Sequence, residues 1–152
     1  MAEWRRICCA IDFSDSSRVA MQEAAVLARR LESWLTLVHV YVAPAPAVPD
    51  TLLSPPEFFE RLSREAEGTL ERWRAEAEGI TGRSVRSAMP EGNASAELLR
   101  FASEGGYDII VMATHGRTGF RRLVLGSVAE RVVREANCSV LVVRRPAPAR
   151  TG

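Results

Sequence analysis

Long hydrophobic runs are missing from this chain of 152 residues. No apolar stretch approaches the roughly 20 residues that span a bilayer, so no membrane partner is expected. No secretory leader is expected either. Met1-Ala-Glu-Trp-Arg-Arg6 leads at once into a short apolar run, without the long apolar core of a signal peptide. Charge of one sign is not in excess: a net charge of +1 argues against a domain built to hold nucleic acid. A single loop can still carry local charge for a small anion. Cysteine is scarce and odd in number, with Cys8, Cys9 and Cys138. Cys8 and Cys9 adjoin in a strand and point to opposite faces, which makes them poor disulfide partners. No His/Cys cluster accompanies them, so they read as buried apolar filler and no metal site is predicted. A reducing, cytoplasmic compartment fits this usage. Two common phosphate signatures are also absent, the Gly-Lys-Ser/Thr of a Walker loop and the dinucleotide Gly-x-Gly-x-x-Gly.

What is there belongs to an ordinary globular domain, with 47% hydrophobic and 26% charged residues. The length favours a single domain, residues 1–145, with a proline-containing tail at 146–152 predicted to be disordered. Ile7 to Ile11 is a first buried strand, and Asp12-Phe-Ser-Asp-Ser-Ser17 after it is dense in helix-capping residues. A helix from about Ser16 to Glu32 puts Ala20, Ala24, Leu27 and Leu31 on one face. Leu35 to Val42 is a second strand, ended by the prolines of Ala43–Asp50. Ser54-Pro-Pro-Glu57 has the form of a capping box and opens a long charged helix to about Glu78. Its expected apolar contacts are Phe58, Leu62, Leu70 and Trp73.

Ser84 to Met89 is a weaker, more polar strand, as suits a sheet edge. Asn93 can cap a helix to Ser103, and Gly105-Gly106 stops it. Tyr107 to Met112 is a strand apolar from Ile109 onward. A polar, glycine-bearing loop follows, then a helix from Val128 to about Ala136 and a last apolar strand, Ser139 to Val143. Strands alternating with helices imply an α/β fold with a mostly parallel sheet covered on both faces. The right-handed crossover rule makes a doubly wound, five-stranded sheet of order 3-2-1-4-5 the economical topology. In such a sheet a ligand crevice lies beyond the strand ends, between strands 1 and 4. Those ends carry Asp12 and the Ala113–Ser127 loop.

Each residue there has a structural and a functional reading. Gly116, Gly119 and Gly126 are turn glycines or a phosphate cradle; three in one connection, the last abutting a helix start, favour the cradle. Ser127 with Glu130 reads as a helix N-cap in a Ser-x-x-Glu box, with a backbone N–H left for a ligand. Asp12 either caps the first helix or meets a base, a ribose or Mg²⁺; Ser14 to Ser17 can supply the cap and free it. His115 has no acid–base partner in sequence, which favours a loop-shaping or phosphate-contacting role over catalysis. His39 lies on an apolar strand and reads as a satisfied core residue. Arg117, Arg121 and Arg122 neutralise phosphate or form a solvated loop face. Trp4, Trp34 and Trp73 carry no functional weight.

Ala113-Thr-His-Gly116, nine residues, then Gly126-Ser127 resembles the nucleotide loop of the universal stress protein family. That pattern is Gly, two residues, Gly, nine residues, Gly, then Ser or Thr. Ile11-Asp-Phe-Ser14, His39-Val40 and Cys138-Ser-Val-Leu-Val-Val143 fit the family as well, and the likeness spans about Arg6 to Arg144. The resemblance implies an adenine nucleotide alpha-hydrolase-like fold, bound ATP with Mg²⁺, and a homodimer paired through Val140–Val143. It implies Ala10 as a nucleotide contact, Asp12 and the Val40 backbone at the adenine end, Met112 and Ala113 by the ribose, and Gly116, Gly126, Ser127 and Val128 at the phosphates. His115 and Arg117 adjoin that last group. Ala113 departs from the pattern, which has glycine there, and its methyl group bears on the room left for the sugar. The implied role is nucleotide-dependent regulation in a stress response. A slow ATPase and a nucleotide-free dimeric module are the alternatives. Asp12-Phe-Ser-Asp15 is not the serine- and glycine-rich loop of a pyrophosphatase-type enzyme, which lowers the first.

Overall fold

In the computed structural model, residues 3–44, 56–115 and 125–146 are described. The sheet is built around β1 (Arg6–Ala10), whose Ile7, Cys8 and Cys9 are fully buried. A strand buried on both faces needs apolar side chains at successive positions, and this one has them. Cys8 enters the layer with Val38, Leu98, Ile110 and Val132, and Cys9 enters the opposite layer with Met21, Leu37 and Val111. The two thiols therefore point apart, as the sequence requires. Burial pushes the Cys9 thiol up to about 12 and raises that of Cys8 as well, so both stay neutral.

Around β1 the strands β2 (Trp34–Val38), β3 (Arg86–Ala88), β4 (Ile109–Ala113) and β5 (Ser139–Val143) form one parallel sheet of order β3-β2-β1-β4-β5. This is the doubly wound order that the crossover rule predicts. β3 is the edge and has three residues, fewer than the polar Ser84–Met89 run suggests. β2 ends at Val38, but His39 N–H still bonds the Ala88 carbonyl at 3.1 Å and Tyr41 N–H that of Pro90 at 2.8 Å.

One face is covered by α1 (Asp15–Leu31) and α2 (Pro56–Thr81), the other by α3 (Ala94–Glu104) and α4 (Ser127–Glu135). α1 buries Ala20, Met21, Ala24, Ala25 and Ala28, a stripe of mostly small residues that lets the helix lie close to the strands. The expected stripe was rotated by part of a turn. Leu27 is only half-buried and Leu31 is 48% exposed. α2 buries Leu70, Trp73 and Ala77 but leaves Phe58 exposed and Leu62 half-buried, so only its C-terminal half is core. Deleting a fully buried side chain such as Trp73 costs about 3–5 kcal/mol. Ser54 of the expected capping box lies outside the described residues, as does the tail from residue 147.

Candidate functional site

At the C-terminal edge of the sheet, β1 feeds a helix on one face and β4 a helix on the other. The chain parts there and leaves a crevice. A cavity of about 410 Å³ occupies it. Its floor comes from the strand ends: Ala10, Ile11 and Asp12 after β1, Val38 to Val40 after β2, and Met112 to His115 after β4. Gly126 to Ala129 of the α4 start form one wall, and Ala94 and Leu98 of α3 form another. Ser17 and Val42 complete the lining.

Asp12 is held by the turn that it starts. Its Oδ1 accepts the Ser14 N–H at 3.0 Å, and its own N–H donates to Ser17 Oγ at 3.3 Å. Ser14 is the N-cap of α1, its hydroxyl oxygen accepting the Ser17 N–H at 3.1 Å. A serine thus does supply the cap, yet Asp12 is not released by it, because its carboxylate is built into the same turn. Between them Phe13 sits in the left-handed region at φ 64°. A bulky residue there needs compensation. Its ring lies 4.2 Å from that of His39 and meets Trp73 edge-on at 5.5 Å, with the Arg18 guanidinium 4.5 Å from the Trp73 centroid. His39 Nδ1 donates to the Ile11 carbonyl at 2.9 Å, which fixes the ring against the cavity floor. It is the satisfied histidine that the sequence suggests, but it also lines the site.

β4 delivers Met112 and Ala113, both buried, and then His115. His115 Nδ1 lies 3.1 Å from Thr114 Oγ1, while its Nε2 is buried and has no hydrogen-bond partner among the described residues. A buried polar atom left unmet costs about 1–3 kcal/mol, so this one marks the position for an incoming group.

α4 begins beside it. Gly126 N–H donates to the Thr114 carbonyl at 2.8 Å, and the Gly126 carbonyl accepts the Glu130 N–H at 2.9 Å. Gly126, not Ser127, is therefore the N-cap, and among the described residues no side chain caps the helix. The Ser-x-x-Glu pattern misleads by one residue because the Gly126 carbonyl already opens the helical ladder. Ser127 becomes the first helical residue, exposed, with its hydroxyl unused by capping. Glycine matters at 126 for proximity: a Cβ there would lie 3.3 Å from the Thr114 carbonyl oxygen and 3.7 Å from His115 Cα.

Of the residues singled out in the sequence, Ala10, Asp12, Val40, Met112, Ala113, His115, Gly126, Ser127 and Val128 meet at this one cavity. Gly116, Gly119, Arg117, Arg121 and Arg122 lie outside the described residues. Among the described residues no group of three His, Cys, Asp or Glu side chains is placed to hold a metal. Ala94 and Leu98 were missed. The signal was available, since a right-handed crossover brings the start of the helix capped by Asn93 to this end of the sheet.

The arrangement offers an apolar slot from Val38, Val40, Leu98, Met112 and Val128, closed at one end by an uncapped helix start and an unmet imidazole nitrogen. A planar base fits the first and a phosphate the second. Comparison with known proteins agrees in fold and lineage. The chain is 34% identical over 148 residues to a universal stress protein of Methanocaldococcus jannaschii, covering 94% of this chain and 84% of that one. The solved structure of a Lactobacillus plantarum universal stress protein superposes with a TM-score of 0.82 at 24% identity, covering 95% of this chain and 100% of that one. Two more solved universal stress proteins share the fold. One is in complex with cAMP (TM-score 0.70, 21% identity, 93% of this chain and 97% of that one). The other, from Archaeoglobus fulgidus, is in complex with dAMP (TM-score 0.67, 21% identity, 92% of this chain and 98% of that one). The model of the Universal stress protein family matches residues 3–144, and the chain belongs to that family.

Proposed function

We propose that this protein binds an adenine nucleotide, ATP, in the cavity between β1 and β4 and acts through its occupancy in a cytoplasmic stress response. The observation that carries the reading is the uncapped start of α4 beside the unmet Nε2 of His115. The first-turn N–H groups of an uncapped helix, with the positive end of its dipole, suit a phosphate. The base takes the apolar slot, with Ala10, Asp12 and Val40 at its edge and Met112 and Ala113 by the ribose. Ser127, Val128 and Gly126 meet the phosphates, and Gly116 and Arg117 of the intervening loop complete that end. Asp12, the carboxylate among the lining residues, is the candidate contact for a Mg²⁺ that travels with ATP. The volume of about 410 Å³ lies within the roughly 300–1,000 Å³ of small-ligand pockets. That cAMP and dAMP are held by solved proteins of the same fold supports the adenine.

The protein works as a homodimer joined through Val140–Val143. Among the described residues β5 pairs only with β4, and Leu141 and Val133 of adjoining α4 are exposed at that edge. A second strand on this edge would cover them and satisfy its open backbone groups.

Nucleotide-free protein heated with and without millimolar ATP–Mg²⁺ tests the reading. At about 100 times its dissociation constant a ligand adds about 2.7 kcal/mol, a rise of several degrees in Tm. An unchanged Tm would remove the proposal. Asp12 and His115 at one cavity also admit slow hydrolysis, which Asp12→Ala and His115→Ala would abolish; turnover unchanged in both excludes it.

A further inference from the structure

The end of the sheet opposite the nucleotide cavity carries a second, differently built surface. Among the described arginines, Arg6, Arg29, Arg30, Arg72, Arg83, Arg86 and Arg144 form no ion pair, whereas the others each engage a carboxylate. All but Arg72 and Arg144 lie at this end. Arg29 and Arg30 complement the C-terminal dipole of α1, which accounts for them. Arg83 also meets the end of α1, donating to the carbonyl of its C-cap Glu32, whereas Arg6 and Arg86 lie on strands and have no such explanation. Arg6 and Arg86 adjoin Trp34 and Arg83 is tied to the backbone two residues before it, at Glu32; at 58% exposure Trp34 is the most open aromatic ring among the exposed large hydrophobics.

The grouping is built rather than scattered. Arg6 is the register partner of Trp34, and the Arg86 guanidinium lies 5.8 Å from the Trp34 ring centroid. Arg6 lies 5.3 Å from the ring centroid of Tyr107, which stacks on Phe101 at 5.5 Å and donates its hydroxyl to Thr36 Oγ1 at 2.9 Å. Arg83 Nη1 is fixed by the Glu32 carbonyl at 2.9 Å. Among the described residues, the arginines in no ion pair at this end outnumber the nearby carboxylates in none, Asp108 and Glu32. Glu3 is taken by Arg5, and Asp108 accepts the backbone N–H groups of Arg5 and Arg6. Glu32 remains as a carboxylate in no ion pair.

We propose that Arg6, Arg83 and Arg86 near exposed Trp34 dock an acidic, extended segment of a partner protein. A guanidinium lying over an aromatic ring keeps its in-plane N–H groups for a carboxylate, and the ring lowers the entropy lost on binding. A net charge of +1 lacks the basic excess of a nucleic-acid surface, which favours an acidic peptide segment as the occupant. The surface lies at the strand N-termini, away from the nucleotide cavity, so its use does not depend on that proposal.

The test is fluorescence anisotropy of a labelled peptide of alternating glutamate and serine, titrated with the full-length protein at low salt. Saturable binding is expected, weakening as salt screens the charges. Arg83→Glu/Arg86→Glu is expected to raise Kd by at least about tenfold and Trp34→Ala by about threefold. Arg61→Glu/Arg64→Glu on α2, with the same change in net charge, is expected to leave it unchanged. The ATP-induced rise in Tm should be the same in all these proteins, each checked for folding by circular dichroism. Absence of saturable binding, or equal loss in the α2 variant, overturns the proposal. So does tighter binding of single-stranded oligothymidylate, or a change in native mass of Arg83→Glu/Arg86→Glu that marks the face as a contact between copies.

Discussion

α3 and α4 lie side by side on the same face of the sheet and bring their first turns to the same cavity, yet they start differently. Asn93 caps α3, its Oδ1 accepting the Ala96 N–H at 3.0 Å and the Ser95 hydroxyl at 3.0 Å. Arg131 of α4 donates to Ser95 Oγ at 3.1 Å and ties the two helices together. α4 has no such residue: Gly126 stands at its N-cap with no side chain to offer. The free amides of a helix start cannot serve a cap and a ligand at once. α3 uses its amides for stability, and α4 leaves them toward the cavity. The difference predicts that substitutions at the two starts act on different quantities.

The largest effect is expected from Gly126→Val. The added side chain meets the Thr114 carbonyl and forces α4 away from β4, so ATP affinity should fall by more than about tenfold, ~1.4 kcal/mol. Calorimetric titration checks it. An affinity within twofold of the parent would mean that the approach of α4 is not needed. His115→Ala should cost about 1.5 kcal/mol of binding, the worth of a hydrogen bond to a charged group. Removing the unmet Nε2 relieves its burial cost and offsets the packing that the ring loses, so stability without nucleotide should not fall by more than about 0.5 kcal/mol. A large loss of stability in urea denaturation would reassign His115 to folding.

Asn93→Ala should do the reverse. Removing the cap should lower stability by about 1 kcal/mol while ATP affinity stays within about twofold. If affinity falls with it, the α3 start belongs to the binding machinery and the contrast collapses. The smallest effect is expected from Ser127→Asp. An acidic residue in the first turn complements the dipole and should add about 0.5 kcal/mol to the nucleotide-free protein. The same charge should weaken ATP, so Tm rises alone and rises less on adding nucleotide.

The contrast also explains what could be read from the chain. Alternating patterns and crossover handedness were enough for the strand order, because burial on both faces makes β4 and all of β1 after Arg6 apolar. The polarity of Ser84–Met89 was enough to put β3 at an edge. Helix starts were harder. Ser127 looks like a cap by spacing, and only the Gly126 N–H bonded to the Thr114 carbonyl shows that the helix opens one residue earlier. Asp12 was weighed as capping or free, whereas the turn uses it together with Ser14. Local patterns name the residue types that end helices, but which amide each oxygen meets depends on how neighbouring strands hold the turn.

Thr114 has a further role, at the meeting of two elements. Its N–H donates to the Val143 carbonyl of β5 at 3.1 Å, and its carbonyl accepts the Gly126 N–H at 2.8 Å. Two hydrogen bonds from one residue thus join the floor of the cavity to the outer strand of the sheet. If a nucleotide and a partner subunit bind as proposed, at the two ends of this link, their binding is subject to thermodynamic reciprocity. A nucleotide that tightens the dimer by some factor must itself be bound tighter by the dimer by that same factor. Measured from either side, the ATP dependence of dimerisation and the concentration dependence of ATP affinity report one coupling free energy.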